Sequence, residues 1–172
     1  MEKKLPVATF FQKNSLPSLG MVKWSIYTCL MDKVSPEKRS WTMAKVKGRD
    51  TCPEKIVRSL LYSMGYRFRL QQTDLAGKPD IVLPKRQTAI FVHGCFWHRH
   101  PGCKRATTPA SNTEYWHPKF ARTVARDARN QELLETGGWR VLVIWECELK
   151  NIAALRVRLH DFFEQTALTA HG

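Results

Sequence analysis

The chain has 172 residues and a formal net charge of +13, with 28 Lys and Arg against 15 Asp and Glu. That length suits a single domain with a real core, and an apolar share of 43% excludes both a disordered tail and a membrane bundle. The positive excess, interleaved with Trp and Phe, favours nucleic acid over neutral or acidic partners, the bland alternative being a solvated basic surface.

Five cysteines at uneven spacing argue against a disulfide framework and for thiols kept reduced. No run reaches the roughly 18 apolar residues of a membrane span, so a cytoplasmic protein without membrane contact is expected.

Residues 1–30 mix Lys, Pro, Ser and Asn with scattered apolars and no sustained period. They are expected to be a poorly ordered extension, upstream of a true start at Met31, and residues 31–172 the single domain. Its first part, about 36–50, gathers Lys38, Arg39, Lys45, Lys47 and Arg49 around Trp41, Met43 and Val46. Met43 and Val46 share a face on a short helix, which either docks on the core or tips a basic arm entering a DNA groove.

Thr51-Cys-Pro-Glu54 predicts a capped helix start, and Ile56, Val57, Leu60, Leu61 and Met64 give it a buried stripe that Gly65 ends. Glu54 completes the cap, yet lies on one edge with Val57 and Leu61. Two short strands follow, Pro79–Leu83 and Thr88–His93. Pairing Leu83 with Thr88 sets Asp80 opposite Phe91, beside the backbone of Val92 and near His93.

Residues 91–103, Phe-Val-His-Gly-Cys-Phe-Trp-His-Arg-His-Pro-Gly-Cys, concentrate the chemistry. Cys95, His100 and Cys103 have the spacing of zinc ligands, since thiolate with imidazole suits a borderline-soft ion. Three ligands do not close a structural site, and Cys147 is the best candidate for the fourth. A helix is predicted over 118–136, with Phe120, Val124, Asp127, Gln131 and Leu134 on one stripe. Asp127 on that face needs a partner, either a neighbouring Arg or a functional group. Gly137-Gly138 stops the helix, and Trp139–Trp145 reads as a central strand delivering Glu146 and Cys147. Residues 149–164 form a last helix packing Leu155, Leu159, Phe162 and Phe163 inward. The order implies an α/β layer fold.

Asp80, the Val92 backbone carbonyl and Glu54 are hard oxygen donors suited to Mg²⁺ beside a phosphate. His98 or His93 could carry a proton near neutrality. On a basic surface these point to phosphodiester hydrolysis.

The chain resembles the very-short-patch repair endonucleases from about Arg39 to Leu149. The resemblance rests on Met-Ala-Lys-Val-Lys-Gly-Arg-Asp-Thr at 43–51, Gly-Lys-Pro-Asp80, Phe-Val-His-Gly-Cys-Phe-Trp-His at 91–98, Thr113-Glu-Tyr-Trp116, Arg126-Asp127 and Gly-Trp-Arg-Val-Leu-Val-Ile-Trp-Glu-Cys147. It implies a restriction-endonuclease-like core, a mixed β-sheet flanked by helices with a structural zinc site. The activity implied is Mg²⁺-dependent nicking of double-stranded DNA beside T:G mismatches left by deamination of 5-methylcytosine. Asp80 would be the principal Mg²⁺ ligand with the Val92 carbonyl, and His98 would handle the proton. Glu54, His93 and Asp127 would orient water on the metal.

Cys95, His100, Cys103 and Cys147 match the family's zinc ligands. Phe96, Trp97 and Trp116 match the aromatics that intercalate beside the mismatch, and Met43 with Val46 match its arm. The resemblance further implies a nucleoid-associated monomer that contacts mismatch-repair proteins. Two other classes stay open: another nuclease of the same core, and a non-catalytic zinc module that binds DNA by charge and wedge.

Overall fold

The computed structural model describes residues 48–70 and 72–169, with side chains up to 165. The expected extension over 1–30 and all but the last residues of the arm, Met43 and Val46 included, lie outside the described residues.

Helix α1, Cys52–Ser63, begins on the predicted capping box. The Thr51 side chain accepts from the Glu54 N–H, and the Glu54 carboxylate accepts from the Thr51 N–H. Its inner face, Val57, Leu60 and Leu61, is buried. A two-residue strand, β1 (Arg69–Leu70), follows and is too short to announce itself by periodicity. Strands β2 (Ile81–Leu83) and β3 (Thr88–His93) form the expected hairpin, with Leu83 opposite Thr88. Pro79 and Asp80 precede β2 rather than belonging to it.

Helix α2 runs Thr113–Thr136, five residues longer at its start than the pattern predicted. Pro118 reads as a helix start, but it sits inside the helix. The extra turn is held by Trp116, which stacks on Phe120 one turn later with ring centroids 5.4 Å apart. Val124, expected on the inward stripe, is 45% exposed. The helix buries apolar side chains near its two ends, Trp116 and Phe120 at one and Leu134 at the other. Between them Asp127 and Gln131 line a cleft instead of a core.

Strand β4 (Arg140–Trp145) pairs parallel with β3, completing a mixed sheet of order β1-β2-β3-β4. The apolar run predicted a central strand; β4 instead lies at the sheet edge among the described residues. Its free edge is covered by an ion pair. Arg158 donates to the Val143 carbonyl (3.0 Å) and to Glu148 (2.6 Å), while Glu148 accepts from the Trp145 N–H (2.7 Å). One charged pair thus takes the place of a neighbouring strand. A short 3₁₀ turn, Glu146–Lys150, leads into α3, Ile152–Thr169.

The main core joins α1, the inner sheet face and α3 through Val57, Leu61, Ile81, Ile90, Ile144, Leu159 and Phe163. Each such buried side chain contributes roughly 1.5–3 kcal/mol. The opposite sheet face packs Ala89 and Phe91 against Leu134 of α2. This mixed α/β sheet flanked by helices is the predicted class, and it aims the C-terminal ends of β3 and β4 at one end of the molecule.

Candidate active site and metal centre

A cleft at that end is lined by Glu54, Asp80, Val92, His93, His98 and Asp127, among others. These six residues come from α1, the entry to β2, β3, the turn after β3, and α2. Asp80 emerges from the turn before β2 and accepts the Val92 N–H on Oδ2 at 2.7 Å. The Val92 carbonyl belongs to the same peptide stretch. Burial first, and the charge of Glu54 after it, push the Asp80 carboxyl up to about 6. A carboxylate kept ionised in such a place calls for a cation.

His98 and Asp127 form a pair, Nδ1 to Oδ2 at 2.5 Å. Although burial opposes it, the hydrogen bonds from His98 and Arg126 hold the Asp127 carboxyl below its ordinary value. An ionised carboxylate only accepts, so His98 Nδ1 carries the proton of this hydrogen bond and Nε2 is the ring nitrogen turned away from Asp127. His93 lies flat against His98, centroids 3.8 Å apart and planes 12° apart, with the Trp145 ring edge on it at 5.4 Å. Burial first, then His98, pushes His93 down to about 4, so it is neutral at pH 7. The two histidines, alternatives in the sequence, therefore differ: one is paired and half-exposed, the other buried and neutral.

Glu54 is 5% exposed and fully engaged. Its Oε1 accepts from Thr51 Oγ1 (2.7 Å) and the Thr51 N–H (3.3 Å). Its Oε2 accepts from Arg58 (2.6 Å) and the Asp50 N–H (3.1 Å), and Arg58 also holds Asp50. To orient a further water, Glu54 would have to release one of these donors. Arg58 went unnoticed in the sequence, though its position four residues after Glu54 was a legible signal. Glu146 also lines the cleft and pairs with Arg105 at 3.2 Å, a partnership across 41 residues that no local spacing announces.

Beside the cleft, the ligand atoms of Cys95, His100, Cys103 and Cys147 all lie within 4.8 Å of one another. His100 Nδ1 stands 3.7 Å from Cys95 Sγ and 3.3 Å from Cys147 Sγ. Around a tetrahedral zinc, sulfur and nitrogen ligands lie about 3.6 Å apart, so the donor set fits an ion of that size. The chemistry agrees. Burial first, then the neighbouring thiols, pushes the Cys95 thiol up to about 12, and only a shared cation would make clustered thiolates stable there. The indole of Trp145 stacks on His100 at 4.2 Å and fixes the ring.

The aromatics form their own cluster. Phe96 meets Trp97, Trp116 and Phe120 edge-on at 5.0, 5.7 and 5.3 Å. Phe96 and Trp97 are half-buried, but Trp116 is 5% exposed and would have to leave this packing to reach a base. Lys119 lies over the rings of Trp97, Tyr115 and Trp116, and Arg99 over Phe120 at 4.4 Å.

The family model of the DNA mismatch endonuclease Vsr matches residues 31–105. A type II nicking enzyme, V.XorIIP of Xanthomonas oryzae, is 50% identical over 135 residues, covering 78% of this chain and 98% of its own. V.NmeAIP of Neisseria meningitidis, also called a type II nicking enzyme, is 44% identical over 76% of this chain and 93% of its own. The DNA mismatch endonuclease Vsr of Escherichia coli K12 is 45% identical over 66% of this chain and 72% of its own. The catalytic domain of the homing endonuclease I-Bth0305I has a TM-score of 0.49 and 23% identity, over 68% of this chain and 98% of its own.

With a carboxylate- and histidine-lined cleft at one end of its mixed α/β sheet, and relatives named DNA mismatch endonuclease and type II nicking enzyme at 44–50% identity, this chain is a DNA endonuclease of the nicking kind. It belongs to the Vsr family.

Proposed function

We propose that the chain nicks double-stranded DNA beside T:G mismatches arising from 5-methylcytosine deamination, by Mg²⁺-dependent hydrolysis, and so begins very-short-patch repair. The observation that carries this reading is the meeting of Asp80 with the Asp127–His98 pair in one cleft. The name of the Escherichia coli relative supports the mismatch as the target.

Asp80 and the Val92 carbonyl would hold Mg²⁺, hard oxygen donors for a hard ion. Once bound, the ion supplies an activated water, a clamp on the scissile phosphate and charge for the leaving alkoxide. His98 Nε2 takes the proton from the water that attacks phosphorus, and Asp127 holds Nδ1–H and stabilises the imidazolium that results. His93, neutral and stacked, keeps the His98 ring in its plane. Glu54 serves by its charge beside Asp80 and by fixing the rim of the cleft. Cys95, His100, Cys103 and Cys147 would hold a structural Zn²⁺ that braces residues 95–103, and with them His98, against β4.

Phe96 and Trp97, at the rim, wedge into the duplex. Unstacking a step costs a few kcal/mol, and a mispaired step costs less, which gives selectivity without base-edge readout. Trp116, with Met43 and Val46 of the arm, completes the wedge when it leaves its cluster.

The test is cleavage of a mismatched duplex by the wild type and by the variants Asp80→Asn and His98→Ala, with binding followed separately. Tight binding with nicking lost in both variants is the expected result. Full nicking by either variant would overturn the assignment.

A further inference from the structure

The catalytic pieces come from distant parts of the chain, yet one face of α2 touches both halves. Asp127 holds His98. Asn130, three residues on and so on the same face, abuts the turn that carries Asp80. That turn runs through Gly77 at φ +71° and Lys78 at φ +52°, closed by the Lys78 N–H donating to the Leu75 carbonyl at 3.0 Å. Gly77 lies so close to α2 that a Cβ there would stand 2.8 Å from Asn130 Nδ2 and 2.9 Å from Asn130 Cβ. Leu75 and Ala76 pack on the small core that includes Leu134, one turn further along the same helix face. Pro79 is fully buried and hands the chain directly to Asp80.

We propose that Asn130 and Gly77 are positioning residues for the nicking reaction. The Asn130 side chain, pressed on Gly77, sets how far Asp80 stands from the His98 that Asp127 holds. Helix α2 is then the gauge between the metal-holding half of the site and the proton-moving half. The inference rests on the reading that Asp80 and His98 act together.

Its chemistry is steric. A methyl on Gly77 must push the turn away from α2, because the nearest atoms include the Cβ of Asn130 and not only the movable end of its side chain. Displacements on the order of an ångström in a reacting constellation cost up to about 100-fold in rate. Substitution by Gly at 130 removes the three atoms nearest the methyl, the Nδ2, Cβ and Cγ of Asn130.

The experiment measures single-turnover nicking of a T:G duplex at saturating protein, across a Mg²⁺ series, with DNA affinity measured without Mg²⁺. Gly77→Ala should nick about 10- to 100-fold more slowly with unchanged affinity. Adding Asn130→Gly to it should recover the part of that loss that comes from the clash, while the strain of an Ala at φ +71° stays in both variants. A folding defect predicts the opposite, since a glycine inside a helix destabilises it further. Asn130→Gly alone should also slow nicking at unchanged affinity, and it decides the matter if Gly77→Ala does not fold.

Wild-type rates in Gly77→Ala or in Asn130→Gly, or a double variant no faster than Gly77→Ala, would overturn the proposal. Asp80→Asn is the control: nicking retained there would remove the underlying reading whatever Gly77 and Asn130 do.

Discussion

Asp80 holds its proton up to about 6 in the fold instead of the ordinary 3.8, first because it is buried. Such a group binds protons more tightly folded than unfolded. The stability it contributes is whole below about pH 4 and is lost as the pH rises through 6. Each pH unit between the two values is worth about 1.4 kcal/mol, so ionised Asp80 costs the metal-free protein about 3 kcal/mol at neutral pH. Asn at this position keeps an oxygen for the Val92 N–H and has no charge to bury.

In Mg²⁺-free, zinc-replete buffer at pH 7.5, Asp80→Asn should therefore be more stable than the wild type by up to about 3 kcal/mol, or roughly 6–12 °C in Tm. The gap should close as the pH falls toward 4. His93, pushed down to about 4, titrates in both proteins and drops out of the difference. Mg²⁺ should raise the Tm of the wild type alone, by mass action. Urea and thermal melts followed by circular dichroism from pH 4 to 8 measure all of this. A variant less stable than the wild type at pH 7.5, or a gap independent of pH, would refute the reasoning.

Metal analysis of the purified chain should find one Zn²⁺ per molecule, and Cys95→Ser with Cys103→Ser should lose it together with the cooperative melt; a fully active, well-folded double variant ends the zinc claim. His98→Ala and Asp127→Asn should each slow single-turnover nicking by about 10²–10⁴-fold, and the double variant little further, because the two side chains act as one unit. Additive losses would separate them. Arg122 and Arg129 project from the exposed side of α2, so replacing either by Gln should lower the slope of log affinity against log salt by about 0.9, read by DNA binding at several salt concentrations. An unchanged slope would take that face away from the DNA.

Local signals carried far in this chain. The Thr51–Glu54 capping box, the Leu83–Thr88 hairpin register and the glycine pair after α2 are each set by neighbours within a few residues, and each stands where the pattern put it. The ligand atoms of Cys95, His100, Cys103 and Cys147 gather within 4.8 Å of one another, three of them from one short stretch of chain. What misled were places where tertiary contact outweighs pattern. Pro118 reads as a helix start until Trp116 packs on Phe120. Val124 reads as core until the cleft opens beneath its helix. The apolar Trp139–Trp145 run reads as central because a hydropathy pattern does not foretell that Arg158 and Glu148 will cap its edge. The Arg105–Glu146 pair and the seating of Gly77 on Asn130 join segments 41 and 53 residues apart, a distance over which spacing carries no signal.

The most direct test of the central claim is a nicking assay with Mg²⁺ on duplexes that differ only in T:G against C:G. They should be placed in a CC(A/T)GG-like context and in several others, with Asp80→Asn as the control. The account predicts a nick on the thymine strand of the T:G duplex alone, absent with the control protein. Equal cutting of both duplexes would contradict it in favour of a different nuclease on the same core. Binding without cutting in every context would leave a zinc-braced DNA-binding module.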